Sequence, residues 1–201
     1  MWLQKETHMT TLTTSKEYEQ LIKQTKDATL LGTSISLLHW DQEVMMPKKG
    51  IDFRADQIAL TSRMYHEMCI DPKINDWLCA CEEDSELVGD PTSDAAANVR
   101  EIRHAYERTT KLPTSLVEEE AKLSSRGQNA WAEARKNNDF SEFQPWLEKI
   151  VALLQQKAEC YGWADGGEPW DALAEDYEPG CTAAAVSEVF TPLREKLQTL
   201  L

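Results

Sequence analysis

Apolar side chains recur every three or four residues over most of the chain, which is the period of an amphipathic helix and not of a strand. After a capping sequence at residues 14–17, with Thr14 as the cap, the first helix places its apolar positions on one face. Residues 46–50 break this helix, and a second one runs from Ile51 to Cys69. No stretch alternates apolar and polar residues as a half-buried strand would. The pattern therefore predicts an all-α protein.

Proline, asparagine and acidic residues mark where the later helices begin and end. Asp71 and Pro72 start a third helix. The acidic stretch 82–91 is predicted to be a loop whose last two residues begin the next helix. Residues 112–114 and 137–139 are expected turns between the helices that follow. This succession predicts a bundle of about seven to eight helices.

The last part of the sequence is predicted to contain a linker followed by a helix with a proline inside it. The linker is expected near residues 164–170, which include Gly-Gly-Glu-Pro. Thr182 caps the last helix, and Pro192 should kink it near Glu188 because the proline ring crowds that carbonyl. An apolar stripe reaches the last residues, so we expect either more protein or a partner to cover it, or the helix to dock on its own domain. We predict one helical domain over residues 1–201, with residues 1–13 flexible.

Charge and cysteine content narrow the partners and the compartment. Thirty-five Asp and Glu oppose 21 Lys and Arg, a formal net charge of −14 in 201 residues. Such a chain repels phosphate backbones and anionic membranes, so we expect neither nucleic acid nor membrane as a partner. There is no signal-peptide pattern and no apolar run near the ~20 residues that cross a bilayer. These features predict a cytoplasmic protein whose five cysteines are reduced and mostly packed.

The helix motif of zinc peptidases is incomplete in this chain. Two histidines at i and i+4 reach one metal from one helix face, with a glutamate between them as the base. The segment beginning at His66 and Glu67 starts in this way but has Ile70 where the second histidine belongs. We therefore interpret His66 and Glu67 as a solvated pair at a helix end.

Two other spacings suggest metal sites and also lack their remaining ligands. Glu101 and His104 have the Glu-x-x-His spacing of di-iron bundles, which need a second copy of that motif and two further glutamates. We interpret them as part of an exposed polar face. Cys79 and Cys81 are too close in sequence for a structural zinc site and should point about 200° apart on a helix. The sequence thus predicts no metal-binding and no catalytic residue in this chain.

The densest polar and aromatic cluster lies at the end of the first helix, at His39, Trp40, Asp41 and Glu43. One interpretation is a substrate-facing rim in which Asp41 or Glu43 acts as acid or base. The other, which we favour, is a structural cluster with Trp40 buried and Asp41 bonded to backbone donors near residues 46–47.

These residues also carry a family resemblance that continues along nearly the whole chain. The segments 37–47 (Leu-Leu-His-Trp-Asp-Gln-Glu-Val-Met-Met-Pro) and 54–57 (Arg-Ala-Asp-Gln) resemble the N-terminal region of the thermostable carboxypeptidase (carboxypeptidase Taq) family. The departures are Val44, Trp170 and Ala174, which look like packing changes. Further similar segments follow in the family's order, at 98–103, 111–113, 131–135, 138–145 and 170–180.

The resemblance implies an all-helical fold and a metal-dependent enzyme that removes C-terminal residues from peptides. Members are usually dimeric and have a deep groove, which the N-terminal helices help to wall. Their zinc or cobalt ligands lie on a His-Glu-x-x-His helix in the second half, which this chain does not include. We therefore expect no cofactor bound by this chain, no activity alone, and peptide substrate only in the full-length context. His39, Trp40, Asp41, Glu43 and Arg54 become candidates for the groove or for a structural cluster.

Three hypotheses about function follow. The first is the N-terminal part of a metallocarboxypeptidase, with a C-terminal catalytic half as its partner. The second is a stand-alone helical interaction or dimerisation module that lost the peptidase chemistry. The third, with the least support, is another kind of enzyme that uses His39, Asp41 or Glu43.

Overall fold

The computed structural model describes residues 15–200, which form nine α-helices and contain no strand. This confirms the all-α prediction, and the number of helices exceeds the predicted one by a single-turn helix. Residues 1–14 and 201, including the expected flexible segment and the predicted cap Thr14, lie outside the described residues. The helices are α1 Lys16–Val44, α2 Ile51–Cys69, α3 Pro72–Glu83, α4 Ser85–Val88, α5 Asp94–Thr109, α6 Thr114–Asn137, α7 Phe140–Tyr161, α8 Pro169–Ala174 and α9 Ala183–Leu200.

The first two helices form a hairpin whose turn lies at the predicted break. Ser15, one residue after the expected cap, accepts the backbone N–H of Tyr18 at 3.2 Å and starts α1. The backbone N–H groups of Met45 and Met46 both donate to the carbonyl of Asp41, which ends the helix. A 3₁₀ turn at Lys48–Gly50 then leads directly into α2.

The region 82–91 is more ordered than its acidic composition predicts. The Asp84 carboxylate accepts the backbone N–H of Glu86 at 3.0 Å, and this cap starts the single-turn helix α4. Asp90 does not begin the next helix: its carboxylate accepts the N–H of Thr92 at 2.9 Å and closes a turn. The cap of α5 is Ser93, three residues after the expected position. The loop prediction was therefore wrong over part of this range, because local aspartate caps form a helix and a turn there.

The later boundaries agree more closely with the sequence. Asn138 adopts a left-handed conformation (φ 53°) at the predicted turn, and Asp139 caps α7 through the N–H of Ser141 at 2.9 Å. Thr182 accepts the N–H of Ala185 at 3.1 Å, as predicted for the last helix. Pro192 lies inside α9, and the kink at Glu188 stays a prediction. The expected linker near residues 164–170 lies mostly in the non-helical segment between α7 and α8, but its last two residues, Pro169 and Trp170, belong to α8.

The buried core has two clusters joined by long helix pairs. The first joins α1, α3 and α5 through Leu21, Ile74, Leu78, Cys81 and Val99. The second joins α7 and α8 through Ala158, Tyr161 and Ala172. Between them α2 packs along α6, and α6 packs on α7. The buried residues of α2 include Ala55, Ile58 and Ala59. All five cysteines are free; Cys81 is buried and Cys79 is exposed, as their spacing predicts.

Several large apolar side chains lie on the surface of the described chain. Trp131, Trp163 and Trp170 are each more than two-fifths exposed. No residue of α9 is buried. None of the helices over residues 15–200 combines the length and the apolar character that crossing a bilayer requires.

Candidate functional site

The candidate cluster lies where the end of α1 meets the start of α2, and Arg54 is its centre. Its Nη2 donates to Asp41 Oδ2 at 2.5 Å, and its Nη1 donates to the backbone carbonyl of Leu38 at 2.6 Å. Its Nε donates to Gln57 Oε1 at 3.1 Å within α2. The Arg54 side chain is only 12% exposed. The guanidinium therefore joins the two helices of the hairpin through a carboxylate and a backbone carbonyl at once.

The other predicted members of the cluster face away from Arg54. Trp40 is 57% exposed, beside Leu37 and Val44 on the outer face of α1, so the expectation of a buried tryptophan was wrong. His39 and Glu43 are exposed as well. The Asp41 carboxylate pairs with Arg54 instead of backbone donors near residues 46–47, because those donors already bond to the Asp41 carbonyl. The structure thus brings together Asp41 and Arg54 and leaves His39, Trp40 and Glu43 on the surface.

A polar contact that sequence reasoning missed joins α1 to α6. Ser125, 1% exposed, donates from Oγ to Gln42 Oε1 at 2.6 Å, and Gln42 Nε2 donates to the Ser125 carbonyl at 3.3 Å. Gln42 continues the apolar face of α1 after Ile35 and Leu38, which is the signal that points to a buried role. Two mutual hydrogen bonds satisfy its amide inside the packed face.

This geometry supports a structural cluster more than an acid–base site. The Asp41 carboxylate is bound by a guanidinium, and a general base must instead be free to accept a substrate proton. Over residues 15–200, neither His39 nor Glu43 makes a hydrogen bond or ion pair that could orient it. The arrangement fixes how α1, α2 and α6 pack against one another.

The described part of the chain also lacks a donor set that fits a metal. No three His, Cys, Asp or Glu side chains lie close enough together to hold an ion. Glu101 pairs with its neighbour Arg100 at 3.1 Å, and His104 lies 3.8 Å from Glu175; both are exposed, as a polar face predicts. Since structural and catalytic zinc sites use three or four protein ligands, we derive no metal-dependent step from these residues.

His66 differs from its predicted solvated state. It is 3% exposed, and its Nε2 donates to the carbonyl of Leu112 at 3.1 Å in the connection between α5 and α6. Burial lowers the pKa of His66 from its ordinary value of 6.5, although the bond to Leu112 and the charge of Glu67 act in the opposite direction. The incomplete zinc motif therefore contains a buried neutral histidine that fastens α2 to the bundle.

We expect stability to fall in mild acid because of His66. The unfolded chain takes up the proton below pH 6.5, whereas the folded chain does so only at a lower pH. The contribution of neutral His66 to the free energy of unfolding is therefore complete above pH 6.5. It declines as the pH falls toward the lower pKa of the folded state, by about 1.4 kcal/mol for each unit by which the two pKa values differ. Urea unfolding between pH 5 and 8 should show this decline in the parent and not in His66→Gln. His39→Gln, at an exposed histidine, is the control and should keep the parental pH dependence.

The comparisons with known proteins agree on one family. Residues 19–201 match the family model described as Carboxypeptidase Taq (M32) metallopeptidase. The chain is 40% identical over 197 residues to thermostable carboxypeptidase 1 of Thermus thermophilus, covering 94% of this chain and 38% of that protein. It is 31% identical to thermostable carboxypeptidase 1 of Pyrococcus furiosus, covering 91% of this chain and 36% of that protein.

Solved structures give the same fold. The BsuCP crystal structure is similar with a TM-score of 0.82 and 26% identity, over 90% of this chain and 35% of that one. The M32 carboxypeptidase of Deinococcus radiodurans is similar with a TM-score of 0.71 and 30% identity, over 92% of this chain and 36% of that one. The chain thus spans less than two-fifths of the length of each of these relatives.

Proposed function

The chain belongs to the carboxypeptidase Taq (M32) metallopeptidase family, and we propose that it supplies the N-terminal helical part of a metal-dependent carboxypeptidase. Such an enzyme releases C-terminal amino acids from peptides. The observation that carries the proposal is a family match over residues 19–201 in a chain whose described residues hold no metal donor set. The ligands for zinc or cobalt would then come from the three-fifths of the family's length that this chain does not span.

In this proposal the α1–α2 hairpin serves as one wall of the peptide groove. The Arg54–Asp41 pair and the Gln42–Ser125 pair would keep the wall rigid from behind. The exposed outer face of α1, which includes Trp40, would then be available to the rest of the enzyme or to its peptide. We place the assembled protein in the cytoplasm, which its reduced cysteines support.

The purified chain alone should release no amino acids from peptides, even with zinc or cobalt. Hydrolysis by this route needs a bound metal that activates water and polarises the scissile carbonyl. A chimera that continues from residue 201 into the remaining part of the Thermus relative should be active and sensitive to chelators. Amino-acid release from a set of short peptides, followed by mass spectrometry, measures both.

Two results of that assay would count against the proposal. One is chelator-sensitive release by the isolated chain that survives repeated chromatography. The other is a folded, metal-loaded chimera without carboxypeptidase activity, because the Thermus portion would then lack a functional N-terminal part.

The second candidate function is a stand-alone interaction or dimerisation module. The exposed apolar stripe on α9 favours it, because monomeric proteins seldom leave such a stripe uncovered. Light scattering discriminates the two functions: a module that dimerises should form a stable dimer by itself. The structure does not support the third hypothesis, an enzyme based on His39, Asp41 or Glu43. Asp41 pairs with Arg54, whereas His39 and Glu43 lie on the surface.

A further inference from the structure

The last helix of the described chain presents an apolar face that nothing in residues 15–200 covers. α9 has 18 residues and none is buried. Phe190 is 61% exposed, Leu193 42% and Leu197 49%. The helix is tied to the bundle at its first residue, where the backbone N–H of Ala183 donates to Asp171 Oδ1 at 2.7 Å.

The exposed side chains follow the spacing of a helix-packing seam. The intervals between them alternate between four and three residues, which keeps them on one side of the helix. An isolated helix of this length is marginal in water, so the seam needs a partner to stabilise it. The seam consists of Val186, Phe190, Leu193, Leu197 and Leu200.

We propose that this α9 seam docks onto the part of the family fold that follows the matched region, on an apolar surface bordered by acidic side chains. The inference rests on the proposed function and names the surface through which the two parts meet. The family match includes all of α9 up to residue 201, while the chain covers only 38% of the Thermus relative. The relatives therefore contain a long segment after the position that corresponds to α9, and this segment is the proposed partner of the seam.

Charge around the seam favours this occupant over a second copy of the chain. Arg194 and Lys196 flank the apolar positions, whereas Glu188 and Glu195 lie on the side away from the seam. Two α9 helices packed together would have basic residues at their edges and no acidic partner there. A surface with acidic borders pairs with both charges, so it discriminates against self-association.

The test uses the chimera with the Thermus portion and a protease site placed after residue 201. With the parental α9, the two pieces should co-elute after cleavage. Leu193→Asp with Leu197→Asp should raise their dissociation constant at least about 100-fold, because each substitution places a charge in a desolvated contact. The control is Ala184→Asp with Thr199→Asp, which adds the same charge on the side of α9 away from the seam and should leave the pieces together.

The same variants in the isolated chain complete the test. There the seam substitutions should change the unfolding midpoint no more than the control does, because α9 buries nothing within the described chain. Separation of the parental pieces, an insoluble parental chimera, or pieces that stay together despite the seam substitutions would overturn the proposal. So would an isolated chain that is dimeric and becomes monomeric with the seam substitutions, since the occupant would then be a second copy. A co-eluting but inactive chimera would contradict the proposed function and leave the docking surface supported.

Discussion

Leu78→Ala should lower the free energy of unfolding of the isolated chain by about 3 kcal/mol, the largest loss we expect from one truncation. Leu78 is fully buried in the cluster that joins α1, α3 and α5. Removing its isopropyl group loses the transfer free energy of those carbons and leaves a cavity, because Leu21 and Val99 belong to different helices that cannot both move inward. Urea unfolding followed by the far-ultraviolet helix signal measures the loss.

The matched control makes the same change at an exposed leucine. Leu37, on the outer face of α1, is 67% exposed, so Leu37→Ala should change the free energy of unfolding by less than about 0.5 kcal/mol. Similar losses from the two variants would show that the α1–α3–α5 cluster is not the stabilising core. Destabilisation of the chimera alone by Leu37→Ala would place the outer face of α1 against the rest of the family fold.

Helix type and most boundaries are predictable from the sequence because they depend on local chemistry. The period of apolar residues identifies each long helix, and caps such as Asp71 and Thr182 fix where helices begin. The errors near residues 82–93 are local too. Asp84, Asp90 and Ser93 are all good caps, and periodicity does not decide which of them starts a helix and which closes a turn.

Burial is less predictable, because the pattern shows which face is apolar and not whether another element covers it. Trp40 and Trp131 lie at helical apolar positions and are exposed. His66 looks like a surface residue from its polar neighbour Glu67, yet the connection between α5 and α6 covers it. Contacts between residues far apart in sequence decide each of these cases.

The candidate site shows the same division. The family resemblance includes Asp41 and Arg54 in two neighbouring segments on either side of the predicted helix break, and the structure pairs them across the hairpin. The partner of Gln42 is Ser125, which lies 83 positions away. No local signal connects the two residues, so only the packing of α6 against the hairpin reveals the pair.

Arg54→Met should cost about 2 to 3 kcal/mol, and Asp41→Asn should cost less, about 1 kcal/mol. Arg54 is nearly buried and bonds the Leu38 carbonyl as well as the Asp41 carboxylate, so its loss removes both hydrogen bonds and leaves the Asp41 carboxylate without its counter-charge. Asp41 is 38% exposed, and water can replace part of what its charge provides. Combining the substitutions should cost less than the sum of the two losses, because both remove the same ion pair.

Arg100→Met is the control for charge removal, because Arg100 and its partner Glu101 are 60% and 69% exposed. It should change the free energy of unfolding by no more than about 0.5 kcal/mol. A loss from Arg54→Met no larger than from Arg100→Met would rule out the Arg54–Asp41 pair as the fastening of the hairpin. The chimera adds a second readout for Asp41→Asn. If the pair is structural, metal-dependent turnover at a temperature well below unfolding should stay within about twofold of the parent. A loss of about 100-fold or more at unchanged stability would instead assign Asp41 an acid–base role, because general acid–base catalysis contributes on that scale.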